Sequence, residues 1–157
     1  MSIVLNGTSD LFAKANTELG KSEWQTMTFE RIQAFADATD DHQWIHVDRE
    51  RIAKESPFGA PIAHGYLTLS MVAGLFFEVL ELKGFAMVIN YGTNKVRFPS
   101  PLKEGAKFRM SLALGDVTDK GKGWVEGLFH ATMEIEDSAK PALSAEIVFR
   151  FLQGETA

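Results

Sequence analysis

The sequence has no cysteine among its 157 residues, and this absence excludes several kinds of chemistry at once. Disulfide bridges, thiolate metal sites and cysteine nucleophiles are all ruled out. A chain without cysteine fits a reducing compartment, and we therefore expect a cytoplasmic protein. Proline is also scarce, with five residues, and no stretch has the composition of a linker or a repeat. We expect one domain over residues 1–157, with its core at about 20–152.

An excess of positive charge is missing as well. Sixteen Lys and Arg residues against 21 Asp and Glu residues give a net charge of −5, so we expect no nucleic-acid partner. The most apolar run, residues 66–80, is shorter than the ~20 residues that span a bilayer, and it contains Glu78. Residues 1–8 lack the basic start and apolar run of a signal peptide. We expect neither a leader nor a membrane span.

The composition that remains is that of an ordinary globular domain, with 45% hydrophobic and 24% charged residues. Helix signals dominate the first half and strand signals the second, which predicts an α+β fold. Thr28 is a candidate N-cap for a helix ending at residues 39–41, and Asp48 for a short helix. The segment 65–82 is apolar nearly all round, which predicts a buried helix. Gly74 within it suggests a close backbone contact.

Turn signals, the first of them Gly92, divide the second half into candidate strands. The predicted strands are 86–91, 95–98, 107–117, 124–136 and 142–152. Long antiparallel strands around one buried helix are typical of the hotdog fold, in which the sheet wraps the helix. We therefore predict a single hotdog domain.

An acid and a histidine, Asp41 and His46, follow the first long helix at a spacing of five residues. This spacing does not stack on one helical face, but the two side chains can converge in a loop. A carboxylate and an imidazole suit general acid–base catalysis because burial can tune the pKa of each toward neutrality. A turn-capping hydrogen bond is the structural alternative for the same pair.

Gly65 opens the predicted central helix, directly after His64. The first turn of a helix has unpaired backbone N–H groups and the positive end of the helix dipole. Such a site can hold an oxyanion. Alternatively, Gly65 only permits a tight entry into the helix.

Four motifs of the sequence are specific when taken together. They are Phe-Ala-Asp-Ala-Thr39, Asp40-Asp41-His42-Gln43-Trp44-Ile45-His46-Val47-Asp48, Pro61-Ile62-Ala63-His64-Gly65 and Asn90-Tyr-Gly-Thr-Asn-Lys-Val-Arg-Phe-Pro99. With them the chain resembles the MaoC-like or hydratase 2 family of R-specific enoyl-CoA hydratases, and within it the nodulation protein N-like subgroup most closely. That family's pattern is a small residue, Gly, Asp, two variable positions, an apolar pair and His. The resemblance covers residues 20–150, nearly the whole chain.

The resemblance implies a reaction, site residues and a partner. Asp41 and His46 match the family's catalytic pair, and Gly65 matches the glycine whose N–H helps to bind the thioester oxygen. The implied reaction adds water reversibly to a trans-2-enoyl-CoA and gives an (R)-3-hydroxyacyl-CoA. An acyl-CoA thioester is then the substrate, with no metal and no cofactor. The family pairs its subunits by a two-fold axis, which implies a homodimer.

Asp40 departs from the family pattern, which has glycine before the catalytic aspartate. Glycine there often serves a positive φ, which Asp tolerates better than most residues. A second carboxylate close to Asp41 would raise the pKa of the Asp41 carboxyl. Spacing favours Asp41 over Asp40 as the catalytic acid.

A basic cluster lies between residues 95 and 109, where five cations face one acid, Glu104. The five are Lys95, Arg97, Lys103, Lys107 and Arg109. They are candidates for binding CoA phosphates, or they form a solvated strand face. We expect Gln43, Lys95 and Arg97 to contribute to substrate binding.

Three other functions remain open. The hotdog fold also serves thioesterases, and fold alone does not separate the two activities. A non-catalytic acyl-CoA-binding protein is the second alternative. A metal site is the third, since His42 and His46 have i, i+4 spacing and His64 and Asp41 could complete a set. The zincin motif would need Glu at position 43, where the chain has Gln43.

Overall fold

The computed structural model describes residues 2–154, in which helices and strands follow the α+β order expected from the sequence. The helices are α1 (Thr8–Ala13), α2 (Phe29–Thr39), α3 (Trp44–Val47), α4 (Arg49–Glu55) and α5 (Gly65–Val79). The strands are β1 (Ile3–Asn6), β2 (Thr17–Lys21), β3 (Gln25–Thr26), β4 (Leu80–Lys83), β5 (Phe85–Arg97), β6 (Lys107–Gly121), β7 (Trp124–Ile135) and β8 (Leu143–Gln153).

An antiparallel sheet forms the body of the described chain. Its strand order is β2-β6-β7-β8-β5, and β3 adds to β6 beyond the end of β2. Buried and half-exposed residues alternate along β6, β7 and β8, so one face of the sheet points into the core. The hotdog fold predicted from the sequence is confirmed.

Helix α5 lies against the buried face of this sheet. Phe76 is fully buried and packs against Phe129 and Phe149, with ring centroids 5.1 and 4.6 Å away. Such aromatic pairs stabilise the core beyond the area that they bury. The neighbouring Phe77 is 57% exposed, so α5 keeps one face outside the sheet.

Local signals in the sequence correctly predict the ends of two helices. The Thr28 hydroxyl accepts a hydrogen bond from the Arg31 N–H at 3.2 Å and caps α2. Asp40 ends α2 with a φ of 59°, in the left-handed conformation. Glycine, which the family pattern has at this position, adopts this conformation most readily. The Asp48 carboxylate caps α4 by accepting from the Arg51 N–H at 2.9 Å.

The central helix is shorter than the predicted segment 65–82. It ends at Val79, and Leu80 begins strand β4 with extended backbone angles. Strand β4 pairs in parallel with β1, in the register Ile3↔Leu80 to Asn6↔Lys83. The helical prediction for the last three residues is wrong because this long-range pairing, which a local pattern does not show, satisfies their backbone groups.

Two further expectations about single glycines are also wrong. The predicted strands 86–91 and 95–98 form one strand, β5, in which Gly92 lies at an irregularity in the pairing with β8 rather than in a turn. Gly74 makes no close contact, because a Cβ atom there would have no heavy atom within 4 Å. Its side of α5 is exposed.

The N-terminal elements contribute to the same core. Leu5 of β1 and Leu11 of α1 are fully buried, and Leu19 of β2 is nearly so. The packed structure therefore begins well before residue 20. None of the helices in the described part of the chain combines the length and hydropathy of a membrane crossing.

Candidate active site

His46 lies in the single turn of α3 and is 6% exposed. Its Nδ1 atom is 2.6 Å from the Ile62 carbonyl oxygen, so Nδ1 carries the proton and donates it. This hydrogen bond leaves Nε2 as the basic nitrogen of the neutral ring. Burial is the largest influence on the ring and lowers the pKa of His46 below 6.5, which favours the neutral form.

Asp41 follows the left-handed residue Asp40 and is exposed. One Asp41 carboxylate oxygen accepts a hydrogen bond from the Gln43 backbone N–H at 3.4 Å. An oxygen of the same carboxylate, a His46 ring nitrogen and a His64 ring nitrogen lie within 4.8 Å of one another. The loop thus brings the predicted pair together, at a separation that one water molecule can bridge.

His64 immediately precedes α5 and is 3% exposed. Its Nε2–H donates to the Asp41 carbonyl oxygen at 2.9 Å. Its ring stacks on the His46 ring with centroids 3.8 Å apart and planes inclined by 23°. Within residues 2–154, Nδ1 of His64 is buried without a hydrogen-bond partner.

A cleft of about 290 Å³ opens beside His46 and the N-terminus of α5. Its lining includes His46, Gly65 and Thr68, while Asp41 is not part of the lining. The other walls are mostly apolar: Phe58, Ile62, Ala63, Phe98, Pro101, Leu102 and Ala142, with the polar Ser100. Gly65 therefore presents the start of a helix to the same space that His46 faces.

Phe98 explains why position 65 has no side chain. A Cβ atom on Gly65 would lie 3.0 Å from two carbons of the Phe98 ring, closer than an ordinary contact. The glycine thus allows this aromatic ring to pack against the helix entry, and Gly65 still lines the cleft. Both interpretations of Gly65 from the sequence are compatible with this geometry.

Asp40 and His42 do not join the site. Asp40 serves as the left-handed C-cap of α2. His42 Nε2 lies 2.8 Å from an Asp37 carboxylate oxygen, and this hydrogen bond raises the pKa of His42. The i, i+4 pair of His42 and His46 is therefore not a metal-binding pair. The trio of Asp41, His46 and His64 is the one ligand set found in the described chain.

The basic residues expected to bind CoA phosphates lie outside the cleft lining. Lys95 is paired with Glu146 at 2.8 Å, and Arg97 donates to the Val96 carbonyl oxygen. Two further members of the cluster, Lys107 and Arg109, are paired with Glu136 and Glu134. Three of the five cations are thus paired with acids. Arg97 and Lys103 are exposed and lie next in sequence to the cleft residues Phe98 and Leu102.

Two features of the site were not predicted from the sequence. His64 was considered only as a metal ligand, although its place directly before Gly65 puts it next to the helix entry. Phe58 and Phe98 wall the cleft and had no assigned role. The alternation of Val96 and Phe98 with charged residues was a signal that Phe98 belongs to an apolar surface.

Comparison with known proteins shows the family to which a chain with this fold and these motifs belongs. The MaoC like domain family matches residues 11–132. A relative from Mycobacterium tuberculosis, named 3-hydroxyacyl-thioester dehydratase Z, is 47% identical over 144 residues, which are 92% of this chain and 95% of the relative. Nodulation protein N of Rhizobium leguminosarum is 44% identical over 138 residues, or 87% and 86% of the two chains.

A solved structure supports the fold independently. The (R)-hydratase from A. caviae involved in PHA biosynthesis superimposes with a TM-score of 0.67 at 23% identity, over 85% of this chain and 96% of that one. The protein belongs to the MaoC-like dehydratase family, as the motifs predicted. It is a hydro-lyase, an enzyme that adds water to a double bond or removes it.

Proposed function

We propose that the protein is an R-specific enoyl-CoA hydratase, which adds water reversibly to a trans-2-enoyl-CoA and gives an (R)-3-hydroxyacyl-CoA. One observation carries this proposal. The Asp41 carboxylate and the His46 imidazole lie within bridging distance of each other, and His46 shares its cleft with the helix N-terminus at Gly65. The Asp41–His46 pair can hold a water, and the helix N-terminus can bind the oxygen of a thioester carbonyl.

The chemistry follows from these groups. A water held between Asp41 and His46 gives up a proton as its oxygen bonds to C3 of the enoyl group, and a proton returns to C2. Negative charge develops on the thioester oxygen during this step. The backbone N–H groups at the start of α5, with Gly65 first, stabilise that charge. Water is consumed whole, so the step needs no oxidant or reductant.

The basic nitrogen that this step requires is available in the neutral ring. Because Nδ1 of His46 is committed to the Ile62 carbonyl oxygen, the proton from water goes to Nε2 or to the Asp41 carboxylate. The lowered pKa of His46 keeps the ring neutral near pH 7. We therefore propose a reaction without metal or cofactor, with the CoA thioester as sole substrate besides water. We also propose a cytoplasmic location, because a chain without cysteine fits a reducing compartment.

We also propose a homodimer. Strand β5 has 13 residues and lies at the end of the sheet, where it pairs with β8 on one side. Among the described residues no strand pairs with its other side. A long open edge is a ready template for a second chain. In a two-fold dimer the β5 edge of each copy would pair with the β5 edge of the other.

A spectrophotometric assay tests the proposed reaction. Crotonyl-CoA and longer trans-2-enoyl-CoAs are incubated with the protein, loss of the enoyl absorbance is followed, and the product is resolved by chiral chromatography. We expect absorbance loss without free thiol, and the (R)-3-hydroxyacyl-CoA as product. Thiol release would indicate a thioesterase instead. Binding without turnover at every chain length would indicate a non-catalytic acyl-CoA-binding protein, and the (S) product would contradict the stereochemistry.

A further inference from the structure

We infer that His64 is a positioning residue, which holds the acid, the base and the oxyanion-binding helix start in one fixed arrangement. This inference rests on the proposed hydratase function, because it assigns His64 a role in placing Asp41 and His46. His64 itself takes no part in the proton transfers, which need only Asp41 and His46. Three independent contacts of His64 support it.

The first contact holds the loop that carries the acid. Asp41 is exposed, and the one hydrogen bond found for its carboxylate is a long local one from the Gln43 N–H. The Nε2–H of His64 reaches the Asp41 carbonyl oxygen at 2.9 Å across 23 residues of sequence. This hydrogen bond ties the acid's backbone to the body of the protein.

The second contact orients the base. The His64 ring lies against His46 on one side, at 3.8 Å between centroids, and within 5.0 Å of the Phe35 ring centroid. The hydrogen bond from His46 to Ile62 fixes one end of the His46 ring, and the stacked His64 ring fixes its plane. A ring held at two points presents Nε2 in a constant direction.

The third contact joins this unit to the helix. His64 is the N-cap residue of α5, and its carbonyl oxygen accepts from the Thr68 N–H at 3.1 Å and from the Thr68 hydroxyl at 3.3 Å. Gly65 follows directly in the chain. Any shift of Asp41 or His46 relative to the helix start therefore has to disturb His64.

The buried Nδ1 atom shows which part of the imidazole matters. Nδ1 has no hydrogen-bond partner within residues 2–154, although it is inaccessible to solvent. Burying a polar atom without a partner is unfavourable, and a phenylalanine would stack on His46 without that cost. The Nε2–H bond to Asp41 is thus the contribution that a plain aromatic ring cannot make.

Three substitutions separate the ring from the donor. His64→Phe keeps an aromatic ring and removes the donor. His64→Gln places an amide N–H near the position of Nε2, and His64→Asn carries its amide too close to the backbone to reach Asp41. We expect kcat to fall about 10- to 100-fold in His64→Phe and His64→Asn, with KM changed less than about threefold. His64→Gln should recover at least about tenfold of that loss.

The opposite results overturn the inference. Wild-type kcat in His64→Phe would show that the donor has no positioning role, and His64→Gln no better than His64→Asn would do the same. Thermal unfolding and gel filtration establish that each variant is folded. If the variants do not fold, ¹⁵N shifts of the wild-type histidines decide, since the inference requires the Nε2–H tautomer of His64, and the Nδ1–H tautomer contradicts it.

The same spectra separate this inference from the proposed function. If the wild-type protein hydrates no enoyl-CoA, the proposed function fails, but the Nδ1 proton of His46 still reports the order of the site. We expect this proton to be downfield and protected from exchange in the wild type, and to broaden or exchange rapidly in His64→Phe. An unchanged signal would show that His64 does not hold His46.

Discussion

Two adjacent aspartates, Asp40 and Asp41, are both exposed but have different tasks in the structure. Asp40 ends α2 in a left-handed conformation, while the Asp41 carboxylate points toward the two buried histidines. We expect Asp41→Asn to lower kcat about 10²- to 10⁴-fold, because it keeps the shape of the side chain and removes the carboxylate that takes part in the proton transfer. Steady-state kinetics with crotonyl-CoA would measure this loss, and a loss below tenfold would be too small for the assigned role.

Asp40→Asn is the matched control for that substitution. Asparagine adopts the left-handed conformation readily, so we expect this variant to fold and to keep most of its activity. An inactive Asp40→Asn with an active Asp41→Asn would identify Asp40 as the catalytic acid. His46→Ala should match Asp41→Asn, and the double variant should be little worse than either, because the two groups act on one water.

The acid limb of the pH profile depends on the burial of His46. Burial lowers the pKa of His46, so the neutral, proton-accepting ring persists below pH 6.5. We expect kcat/KM to decline only at a pH below that of an exposed histidine. The unfolded chain binds this proton near pH 6.5 and the folded chain does not, so the free energy of unfolding should also decrease as the pH falls through that value.

His42 provides the control for this pH dependence. Its pKa is raised by the hydrogen bond to Asp37, and it lies at the surface, away from the cleft lining. His42→Gln should leave the acid limb of kcat/KM where it is. An acid limb at or above pH 6.5 in the wild type would contradict the assignment of His46 as a buried neutral base.

At the scale of elements, helix α5 contains two glycines whose surroundings differ. A Cβ on Gly74 meets no heavy atom within 4 Å, whereas one on Gly65 meets the Phe98 ring at 3.0 Å. Gly74→Ala should raise the free energy of unfolding by about 0.5–1 kcal/mol, because alanine favours the helix, and raise Tm by about 1–4 °C. Gly65→Ala should instead lower kcat/KM about tenfold or more, because the ring must shift within the cleft.

A second substitution tests the cause of that loss. Phe98→Leu removes the part of the ring that the new methyl group meets, so Gly65→Ala combined with Phe98→Leu should be more active than Gly65→Ala with Phe98 intact. Equal activity of the two Gly65→Ala proteins would place the cause elsewhere. Calorimetry and the hydration assay together report stability and activity for each.

Lys95 and Arg97 lie at the C-terminal end of β5 and are the residues expected from the sequence to bind CoA phosphates. Lys95→Ala and Arg97→Ala should raise KM for enoyl-CoA more than they lower kcat, since such contacts persist unchanged through the reaction. Arg97→Ala should raise KM more than Lys95→Ala does, because Lys95 is already ion-paired with Glu146. Lys14→Ala is the control, because Lys14 is exposed, follows α1 and is distant from β5 in the sequence. This substitution changes the net charge equally and therefore controls for long-range attraction between the protein and the CoA phosphates. Unchanged KM in both β5 variants would assign these residues to solubility.

Elements whose signals are local could be predicted from the sequence. Caps such as Thr28 and Asp48 act within three or four residues, and the alternation of the long strands is visible along each strand. The pair of Asp41 and His46 was also within reach, because both lie in one short segment. Their neighbour His64 was grouped with them only as a possible metal ligand. Its hydrogen bond to Asp41 and its stacking on His46 cross about 20 residues of sequence, so no local signal indicates them.

Elements that exist only through distant pairing could not be predicted. Residues 80–82 continue the apolar pattern of α5, and nothing local distinguishes them from helix. They become strand because β1, almost 80 residues earlier, offers a parallel partner. The continuity of β5 across Gly92 has the same origin, because its partner β8 keeps the backbone extended on both sides of the glycine.

At the scale of the whole molecule, the proposed homodimer predicts a mass and an exchange pattern. We expect light scattering to give a mass near twice 17.4 kDa at assay concentration. Hydrogen exchange should show protection of alternate β5 amides, those that face away from β8, and this protection should fade on dilution as the dimer dissociates. A monomer mass together with rapid exchange along that edge would contradict the dimer.

The parallel pairing of β1 with β4 has a consequence for synthesis on the ribosome. After Ile3 has been translated, its partner Leu80 follows only about 77 residues later. At roughly 5 to 20 residues per second, this delay is roughly 4 to 15 s. During that interval Leu5, fully buried in the finished fold, has no strand to pair beside and no core to enter. The first strand to be made therefore waits for its partner until the central helix and residues 80–83 have been translated.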